Sequence, residues 1–239
     1  PAAPPLEFHL PLHSRTADRA IQYLCESRGL NKTLVEAFLL SGDIYEDEKR
    51  HNVVFVGRDR SGTPRYAHVR GTQDSFRQDI AGSDKSYPFR YEGNGSQLFV
   101  FEAPIDLLSF ICLYPQDWQT RSYLALGGVS GKALERFLSE RQDTKKVFLC
   151  LDSDTAGAEA ATRLVQTIPE PITVIRLVPA RKDWNDVLMQ KKDIPDRRFI
   201  AETIMLRELP TAQPVPMLRM ADVELTSVDW LWFPYIPFG

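Results

Sequence analysis

From residue 97 onward, short apolar runs of strand length alternate with longer stretches whose apolar residues recur at helical spacing. The predicted strands are Leu98–Phe101, Ser122–Leu126, Val147–Leu151 and Ile172–Val178. The predicted helices are Pro104–Leu113, Lys132–Arg141, Ala156–Ile168 and one that begins near Asp183. Nearly continuous apolar strands separated by helices and short links are typical of a parallel sheet with helices on both faces. The pattern therefore predicts an α/β domain.

The earlier part of the chain follows a different pattern, with two short helices ahead of a β-hairpin. Thr16 is placed to cap a helix that runs through Cys25, and a second helix is predicted over Lys32–Leu40. Two strand-like runs, Val53–Arg58 and Arg65–Arg70, are separated by a turn-forming stretch, which predicts a hairpin. These elements predict a small α+β module in front of the α/β domain.

Three segments are expected from these changes of pattern. Residues 1–94 form the small α+β module, residues 95–208 form the α/β domain, and residues 209–239 begin with a Pro-rich linker. The last twelve residues, 228–239, are rich in aromatic side chains and almost uncharged. The chain starts at Pro1 without a charged-then-apolar leader, which indicates a piece of a longer polypeptide rather than a secreted protein.

The composition is that of a globular protein without a strong overall charge. Of the 239 residues, 43% are hydrophobic and 26% are charged, and the formal net charge is −3. This excludes a uniformly cationic coat for nucleic acid but allows a local basic face. The cysteines, Cys25, Cys112 and Cys150, show no CxxC spacing, and no apolar stretch approaches the ~20 residues of a membrane span. We therefore expect a cytoplasmic protein with reduced thiols.

Acidic residues follow three of the predicted strands. Glu102 and Asp106 come after the first strand, Asp152 and Asp154 after the third, and Asp183 after the fourth. Because the carboxyl ends of parallel strands meet at one edge of a sheet, these carboxylates are expected to lie close together. They would repel one another unless a hard divalent cation lay among them. The pattern therefore predicts a candidate metal site.

Each of these residues also has an ordinary structural explanation. Asp154 and Asp183 could each simply cap the helix that follows it. Gly127, Gly128 and Gly157 would let the backbone approach a phosphate at the same edge, or serve as turn and packing glycines. The joint placement of acids at three strand ends favours metal binding over separate structural roles.

Four motifs in order along the chain resemble the Toprim domain shared by bacterial primases, topoisomerases and related nucleases. They are Glu102-Ala-Pro-Ile-Asp106, Leu126-Gly-Gly, Asp152-Ser-Asp154-Thr-Ala-Gly157 and Lys182-Asp-Trp-Asn-Asp186. The resemblance covers roughly residues 97 to 190 and is strongest to the primase-like branch found on plasmids and other mobile elements. The preceding segment resembles the small domain that accompanies such Toprim modules. Together, these two resemblances imply a Toprim-type parallel sheet with flanking helices, preceded by the small α+β module.

The resemblance also implies a phosphoryl-transfer site that uses Mg²⁺ or Mn²⁺. Glu102 would act as a general acid or base or bind metal, and Asp152 and Asp154 would be metal ligands. The implied catalytic set is completed by further residues of the same motifs: Asp106, Lys182 and Asp183. Where primases commonly have a further acid after the Lys-Asp pair, this chain has Trp184 and Asn185, which puts a ligand role of that loop in doubt.

The segment from Lys49 to Arg90 carries nine basic and four acidic residues, which predicts a nucleic-acid-binding face. The residues assigned to it are Arg58, Arg65, Arg70 and Arg90. Aromatic residues interleave with them and would either stack on bases or form the core of the hairpin: Tyr66, Phe76, Tyr87 and Phe89. His51 and His68 lack metal-ligand spacing and are interpreted as ordinary polar residues.

The predicted function is metal-dependent nucleotidyl transfer on nucleic acid, as in primer synthesis by a DNA primase of a mobile-element replication protein. A Toprim nuclease and a non-catalytic module that binds single-stranded nucleic acid remain the alternatives. The expected partners are single-stranded DNA and nucleoside triphosphates, with no membrane. The aromatic stretch 221–239 resembles the lead-in to the ATP-binding core of RecA-like helicases, so we expect a helicase domain in the same native chain.

Overall fold

The computed structural model describes residues 7–128, 131–190, 201–207, 230–232 and 236–237. The chain divides into two compact units, Pro1–Leu209 and Pro210–Gly239. No helix among the described residues is long and apolar enough to cross a membrane.

The first unit opens with helices and an antiparallel sheet. The helices are α1 (Asp18–Gln22), which continues into a π-helical segment (Tyr23–Ser27), and α2 (Lys32–Leu40). The strands are β1 (Ile44–Glu46), β2 (Val53–Arg58), β3 (Pro64–Arg70) and β4 (Arg77–Asp79), in that order across the sheet. All neighbouring strands are antiparallel, so the predicted hairpin is confirmed as β2 and β3.

The prediction that Thr16 caps the first helix is wrong. The helix starts at Asp18 after Ala17, whose side chain offers no cap. The backbone N–H of Ala20 is instead bound by the buried carboxylate of Glu46 on β1, at 2.9 Å. A distant side chain thus satisfies a donor that local sequence rules assign to a neighbouring hydroxyl.

A six-stranded sheet follows. Its strands are β5 (Arg90–Tyr91), β6 (Gln97–Phe101), β7 (Ser122–Ala125), β8 (Lys146–Leu149), β9 (Thr173–Pro179) and β10 (Ala201–Arg207). Its helices are α3 (Pro104–Leu113), α4 (Lys132–Glu140), α5 (Thr155–Thr167) and α6 (Trp184–Met189), with a 3₁₀ turn at Trp118–Thr120. The strand order is β10-β9-β8-β6-β7-β5. The four central strands are parallel, as predicted, and the two edge strands are antiparallel.

Helices cover both faces of this sheet because alternate strand residues point to opposite sides. On one face, Leu98, Val100 and Leu149 pack with residues of α4 and α5 such as Phe137 and Leu164. The opposite face is aromatic and packs against α3 and α6. The ring centroids of Phe99 and Phe110 are 5.2 Å apart, and those of Phe101 and Trp184 are 6.5 Å apart. The prediction of helices on both faces is confirmed.

The end of the predicted small module takes part in the large sheet. Arg90 and Tyr91 of β5 pair with Leu124 and Tyr123 of β7. The three-segment division at residues 94 and 208 therefore stays a prediction. In the second unit, β11 (Trp230–Trp232) and β12 (Ile236–Pro237) form an antiparallel pair. Most of the tail on which the helicase prediction depends lies outside the described residues.

Gly157 lies in the first turn of α5, where the end of strand β8 passes very close. A Cβ atom at this position would lie 2.2 Å from the backbone oxygen of Asp152. That contact involves backbone, which cannot move aside without displacing Asp152 itself. Gly157 therefore has a packing role that also positions an acidic residue.

Gly157→Ala is expected to lower the free energy of unfolding by about 2 kcal/mol or more, because the added methyl group overpacks a rigid backbone contact. Gly131→Ala is the control, since a Cβ there would meet its nearest atom at an ordinary 3.4 Å. Urea denaturation of both variants checks the prediction, and equal stabilities of the two would contradict it.

Candidate active site

A cleft of about 590 Å³ lies between the strand ends of the six-stranded sheet and one face of the antiparallel sheet. We call one side the acidic wall, which consists of Glu102, Asp106, Asp152 and Asp183. We call the other side the basic wall, which consists of Arg28, His68, Arg70 and Arg77. Lys182 also lines the cleft, beside Asp183. The predicted gathering of acids from three strand ends is therefore present in the structure.

Glu102 and Asp152 are neighbours in the acidic wall. A carboxylate oxygen of Glu102, Oε1, accepts a hydrogen bond from the backbone N–H of Asp152 at 3.2 Å. Burial raises the pKa of Glu102, and the charge of Asp154 adds to this, although that hydrogen bond opposes it. Burial, followed by the charges of Glu102 and Asp183, raises the pKa of Asp152 to about 7. Asp152 is thus poised between its two protonation states near neutral pH.

Asp106 is buried in the first turn of α3 and is held by the first turn of α6. Its Oδ1 accepts the backbone N–H of Asn185 at 3.2 Å. Burial raises its pKa well above the usual range, and the charges of Asp183 and Asp152 add to the effect. Asp106 therefore favours its protonated form more strongly than an exposed aspartate does.

The Asn185 side chain links the two halves of the first unit. Its Nδ2 donates hydrogen bonds to the backbone oxygen of Arg28 at 2.8 Å and to Ser109 Oγ at 3.0 Å. Its Oδ1 accepts a hydrogen bond from Arg28 Nη1 at 3.3 Å. Asn185, which sequence reasoning flagged only as a departure from the family pattern, thus fixes Arg28 beside the acidic wall.

Two of the predicted acids are helix caps. Asp154 Oδ1 accepts the N–H of Gly157 at 2.9 Å, and Asp183 Oδ1 accepts the N–H of Asp186 at 2.7 Å. Asp183 still lines the cleft, whereas Asp154 is exposed and is not among the cleft-lining residues. The role of Asp154 as a metal ligand stays a prediction, and the capping alternative is observed for it.

The donor chemistry of the acidic wall fits a divalent cation. Carboxylate oxygens are the ligands that Mg²⁺ prefers, and a cation would relieve the burial and repulsion that raise the pKa values of Glu102, Asp106 and Asp152. In the part of the chain that the structure describes, no group of three or more His, Cys, Asp or Glu side chains is already arranged to hold an ion. Glu102 and Asp152, which are adjacent, are the ligands best placed to begin such a site.

The basic wall is built by strand register. Arg70 on β3 lies directly opposite Arg77 on β4, so two like charges share one face of the sheet. Arg28 and Arg70 each donate through Nε to the hydroxyl of Tyr23, at 2.8 and 3.1 Å. None of these three arginines forms an ion pair with a described carboxylate. Like charges in this position destabilise a sheet unless an anion compensates them.

Of the four arginines predicted to bind nucleic acid, the structure brings only Arg70 to the cleft. Arg58 is ion-paired with Asp43 at 3.0 Å and Arg65 with Asp59 at 2.7 Å, both near the hairpin turn at the far end of β3. Arg90 is 9% exposed and is paired with Glu92 and Glu140. The role of these three in nucleic-acid binding stays a prediction, although carboxylates already compensate their charges.

The interleaved aromatic residues do not form a stacking face. Tyr66 and Phe89 are buried in the core, at 1% and 0% exposure, which is the alternative that the sequence left open. Phe76 and Tyr87 lie under the guanidinium groups of Arg50 and Arg136.

Sequence reasoning missed residues that reach the cleft from a distance. Arg28 follows the π-helical segment and carries no motif, so no sequence signal points to it. His68 and Arg70 share one face of β3 with Tyr66, and this period-2 relation was the available signal for the basic wall. Arg77 was counted in the basic segment but could not be placed until β4 was known to pair with β3.

Two family matches cover most of the first unit. Residues 99–188 match the family described as Toprim-like, and residues 22–95 match a protein family of unknown function, DUF3991. All of the acidic wall lies in the first match, and all of the basic wall lies in the second.

Solved structures with the same fold include primase catalytic cores. The primase fragment of the bacteriophage T7 primase-helicase protein is 21% identical, with a TM-score of 0.57 over 70% of this chain and 69% of that one. The DnaG primase catalytic domain bound to single-stranded DNA is 17% identical, with a TM-score of 0.53 over 75% of this chain and 71% of that one. These similarities establish the fold of a primase catalytic core.

A curated relative is an uncharacterized protein of Bacillus anthracis, which is 26% identical over 162 residues. The match covers 62% of this chain and 47% of that protein. The chain thus spans about half the length of this relative.

Asp152→Asn is expected to make the stability difference from the wild type depend on pH. The folded-state pKa of Asp152 is raised from 3.8 to about 7, so the folded protein binds more protons than the unfolded chain between these values. Wild-type stability therefore falls as pH rises through this window. In the presence of a chelator, the free energy of unfolding of the variant should equal that of the wild type near pH 4. At pH 8 it should be higher by roughly 1–3 kcal/mol, a range reduced because Asp152 is partly exposed to solvent.

Denaturant unfolding at several pH values measures this difference. Glu159→Gln, which changes an exposed acid on α5 outside the cleft, is the control and should show no such trend. If the free energies of unfolding of the wild type and Asp152→Asn changed with pH in parallel, the raised pKa of Asp152 would be contradicted.

Proposed function

We propose that this chain, whose residues 99–188 are a Toprim-like domain, is the catalytic core of a DNA primase. It would join nucleoside triphosphates into a primer on a single-stranded DNA template with Mg²⁺ or Mn²⁺. The fold is that of primase catalytic cores, one of which was solved as a complex with single-stranded DNA. The proposal extends that likeness to activity on the strength of the cleft itself.

The proposal depends on one observation. In this cleft, cations without carboxylate partners face carboxylates whose pKa values are raised by burial and repulsion. Arg28, Arg70, Arg77 and Lys182 line the cleft and make no ion pair with a described acid. Arginines elsewhere, such as Arg58 and Arg141, are paired within the chain. A cleft in which arginines without carboxylate partners face several carboxylates matches a polyphosphate substrate that arrives with a divalent cation.

The two walls would divide the work. Guanidinium groups of the basic wall would bind phosphate oxygens and orient the substrate, since their fork of N–H donors matches phosphate geometry. Glu102 and Asp152 would hold Mg²⁺, with Asp106 and Asp183 beside them. When bound, the cation supplies charge stabilisation for phosphoryl transfer. Because proteins commonly hold Mg²⁺ through one or two carboxylates together with substrate phosphates, substrate would complete the metal site.

The chemical activity is tested by primer synthesis from nucleoside triphosphates on a single-stranded template with Mg²⁺ or Mn²⁺. The wild type should extend products, and Asp152→Asn should lose at least 100-fold in rate because a metal ligand is removed. Cleavage of the template without synthesis would instead identify a Toprim nuclease. Binding without either reaction would identify a non-catalytic module, and both results would overturn the primase assignment.

Arg70→Gln and Arg77→Gln are each expected to weaken binding of single-stranded DNA or of a nucleoside triphosphate about tenfold. Each substitution removes a charge-assisted contact to phosphate, and for DNA it should flatten the salt dependence by about 0.7 per lost contact. Fluorescence anisotropy at several salt concentrations measures both effects. Arg65→Gln is the matched control, because Arg65 is paired with Asp59. A loss for Arg65→Gln as large as for the other two would contradict the basic wall.

A further inference from the structure

His68 also lines the cleft, but the proposed function gives no role to its side chain. It lies on β3 between Phe55 of β2 and Asp79 of β4, which are its direct partners in register. The ring centroids of His68 and Phe55 are 6.4 Å apart, and His68 Nδ1 lies 2.9 Å from Asp79 Oδ1. The side chain is 18% exposed and lines the same cleft as Glu102 and Asp152. The imidazole is thus held on two sides and open to the cleft.

Asp79 is itself fixed by two other residues. The hydroxyl of Tyr66 donates to Asp79 Oδ1 at 2.6 Å, and Lys85 Nζ lies 3.1 Å from Oδ2. Burial favours the protonated form of Asp79, but hydrogen bonds from His68, Tyr66 and Lys85 outweigh it and lower the pKa to about 2. An ionised carboxylate only accepts hydrogen bonds, so His68 Nδ1 must carry the hydrogen.

The tautomer has a consequence for the other ring nitrogen. With Nδ1 committed to Asp79, only Nε2 is available to a ligand, and it has no hydrogen-bond partner among the described residues. On the same face, Arg70 follows two residues along β3 and Arg77 lies opposite Arg70. His68 Nε2 therefore lies in a cluster with two arginines, where a proton on Nε2 would make the ring a cationic donor without breaking the bond from Nδ1 to Asp79.

We propose that His68 binds a phosphate group of the substrate through Nε2, and that Asp79 is the positioning residue that sets its tautomer and orientation. The inference rests on the proposed function, because it assigns a further contact in the same cleft. In the imidazolium, which carries hydrogen on both ring nitrogens, Nε2 would donate to a phosphate oxygen next to Arg70 and Arg77 while Nδ1 keeps its bond to Asp79. The phosphate belongs either to a nucleoside triphosphate or to the backbone of a single strand.

Two isosteric substitutions separate this role from a merely structural one. In His68→Asn, the side-chain amide nitrogen replaces Nδ1, so the hydrogen bond to Asp79 is kept and Nε2 is lost. In His68→Gln, the amide nitrogen replaces Nε2, so a cleft-facing donor is kept and the bond to Asp79 is lost. If His68 only holds Asp79, His68→Asn should be the milder change. If His68 binds phosphate, His68→Asn should be the more harmful one.

The experiment measures binding of a non-hydrolysable nucleoside triphosphate with Mg²⁺, and of a single-stranded oligodeoxynucleotide, to each variant. We expect His68→Asn to weaken one of these ligands about tenfold without loss of thermal stability, and His68→Gln to retain more of that affinity. The ligand that loses affinity identifies the source of the phosphate. His51→Asn is the matched control, because His51 is also paired with a carboxylate, Glu46, but lies outside the cleft.

A spectroscopic readout tests the positioning role of Asp79. The ¹⁵N resonances of the His68 ring, assigned by their loss in His68→Asn, should report hydrogen on Nδ1 in the wild type and a shift of Nε2 when ligand binds. Asp79→Asn should disturb this tautomer and weaken the same ligand.

Affinity of His68→Asn within twofold of the wild type for both ligands would overturn the inference and leave the proposed function standing. Failure of the wild type to bind either ligand would overturn both. A larger loss for His68→Gln than for His68→Asn would assign His68 a structural role only.

Discussion

Keeping several carboxylates charged in one partly buried cleft is the constraint on which this structure depends. Parallel strands deliver Glu102 and Asp152 to the same edge, and burial and repulsion then raise their pKa values. The chain offsets part of that cost with backbone donors, since the N–H groups of Asp152 and Asn185 bind Glu102 and Asp106. Two such bonds cannot offset the burial and mutual repulsion of four acids, and a bound cation would offset the rest.

The basic wall carries positive charge that is not compensated within the described residues. Arg70 and Arg77 face each other across a strand pair, where like charges are unfavourable, and no described carboxylate relieves them. Direct pairing between the walls would remove both imbalances, but the fold keeps the walls apart. Gly127 lets β3 approach this edge closely, because it has a positive φ of 62° and a Cβ atom there would lie 2.3 Å from the Tyr66 hydroxyl.

Asn185 shows why an amide occupies a position where an acid is common. The side chain both donates, to Arg28 O and Ser109 Oγ, and accepts, from Arg28 Nη1. A carboxylate would lose the two donated bonds and add a buried charge beside Asp106, whose pKa burial already raises. The departure from the family pattern therefore suits a chain in which Asn185 joins α6 to the segment around Arg28.

The predictable part of this structure is the part that local pattern controls. Helices such as Lys32–Leu40 and Pro104–Leu113 match their predicted bounds because apolar spacing and flanking residues set them. The gathering of acids was predictable because parallel strands share one carboxyl edge. Which arginines reach the cleft was not, because ion pairs such as Arg90 with Glu140 join residues fifty positions apart.

Strand register sets which side chains of β3 reach the cleft, to which both matched segments contribute. On β3, His68 and Arg70 line the cleft and share a face with the buried Tyr66, while Ala67 and Val69 belong to a separate apolar cluster on the other face. A slip of one residue would bury the cations and expose that cluster, so the apolar face fixes the position of the basic wall. The segment of unknown function, residues 22–95, thus supplies the basic wall of the cleft, and the segment that matches the Toprim-like family, residues 99–188, supplies the acidic wall.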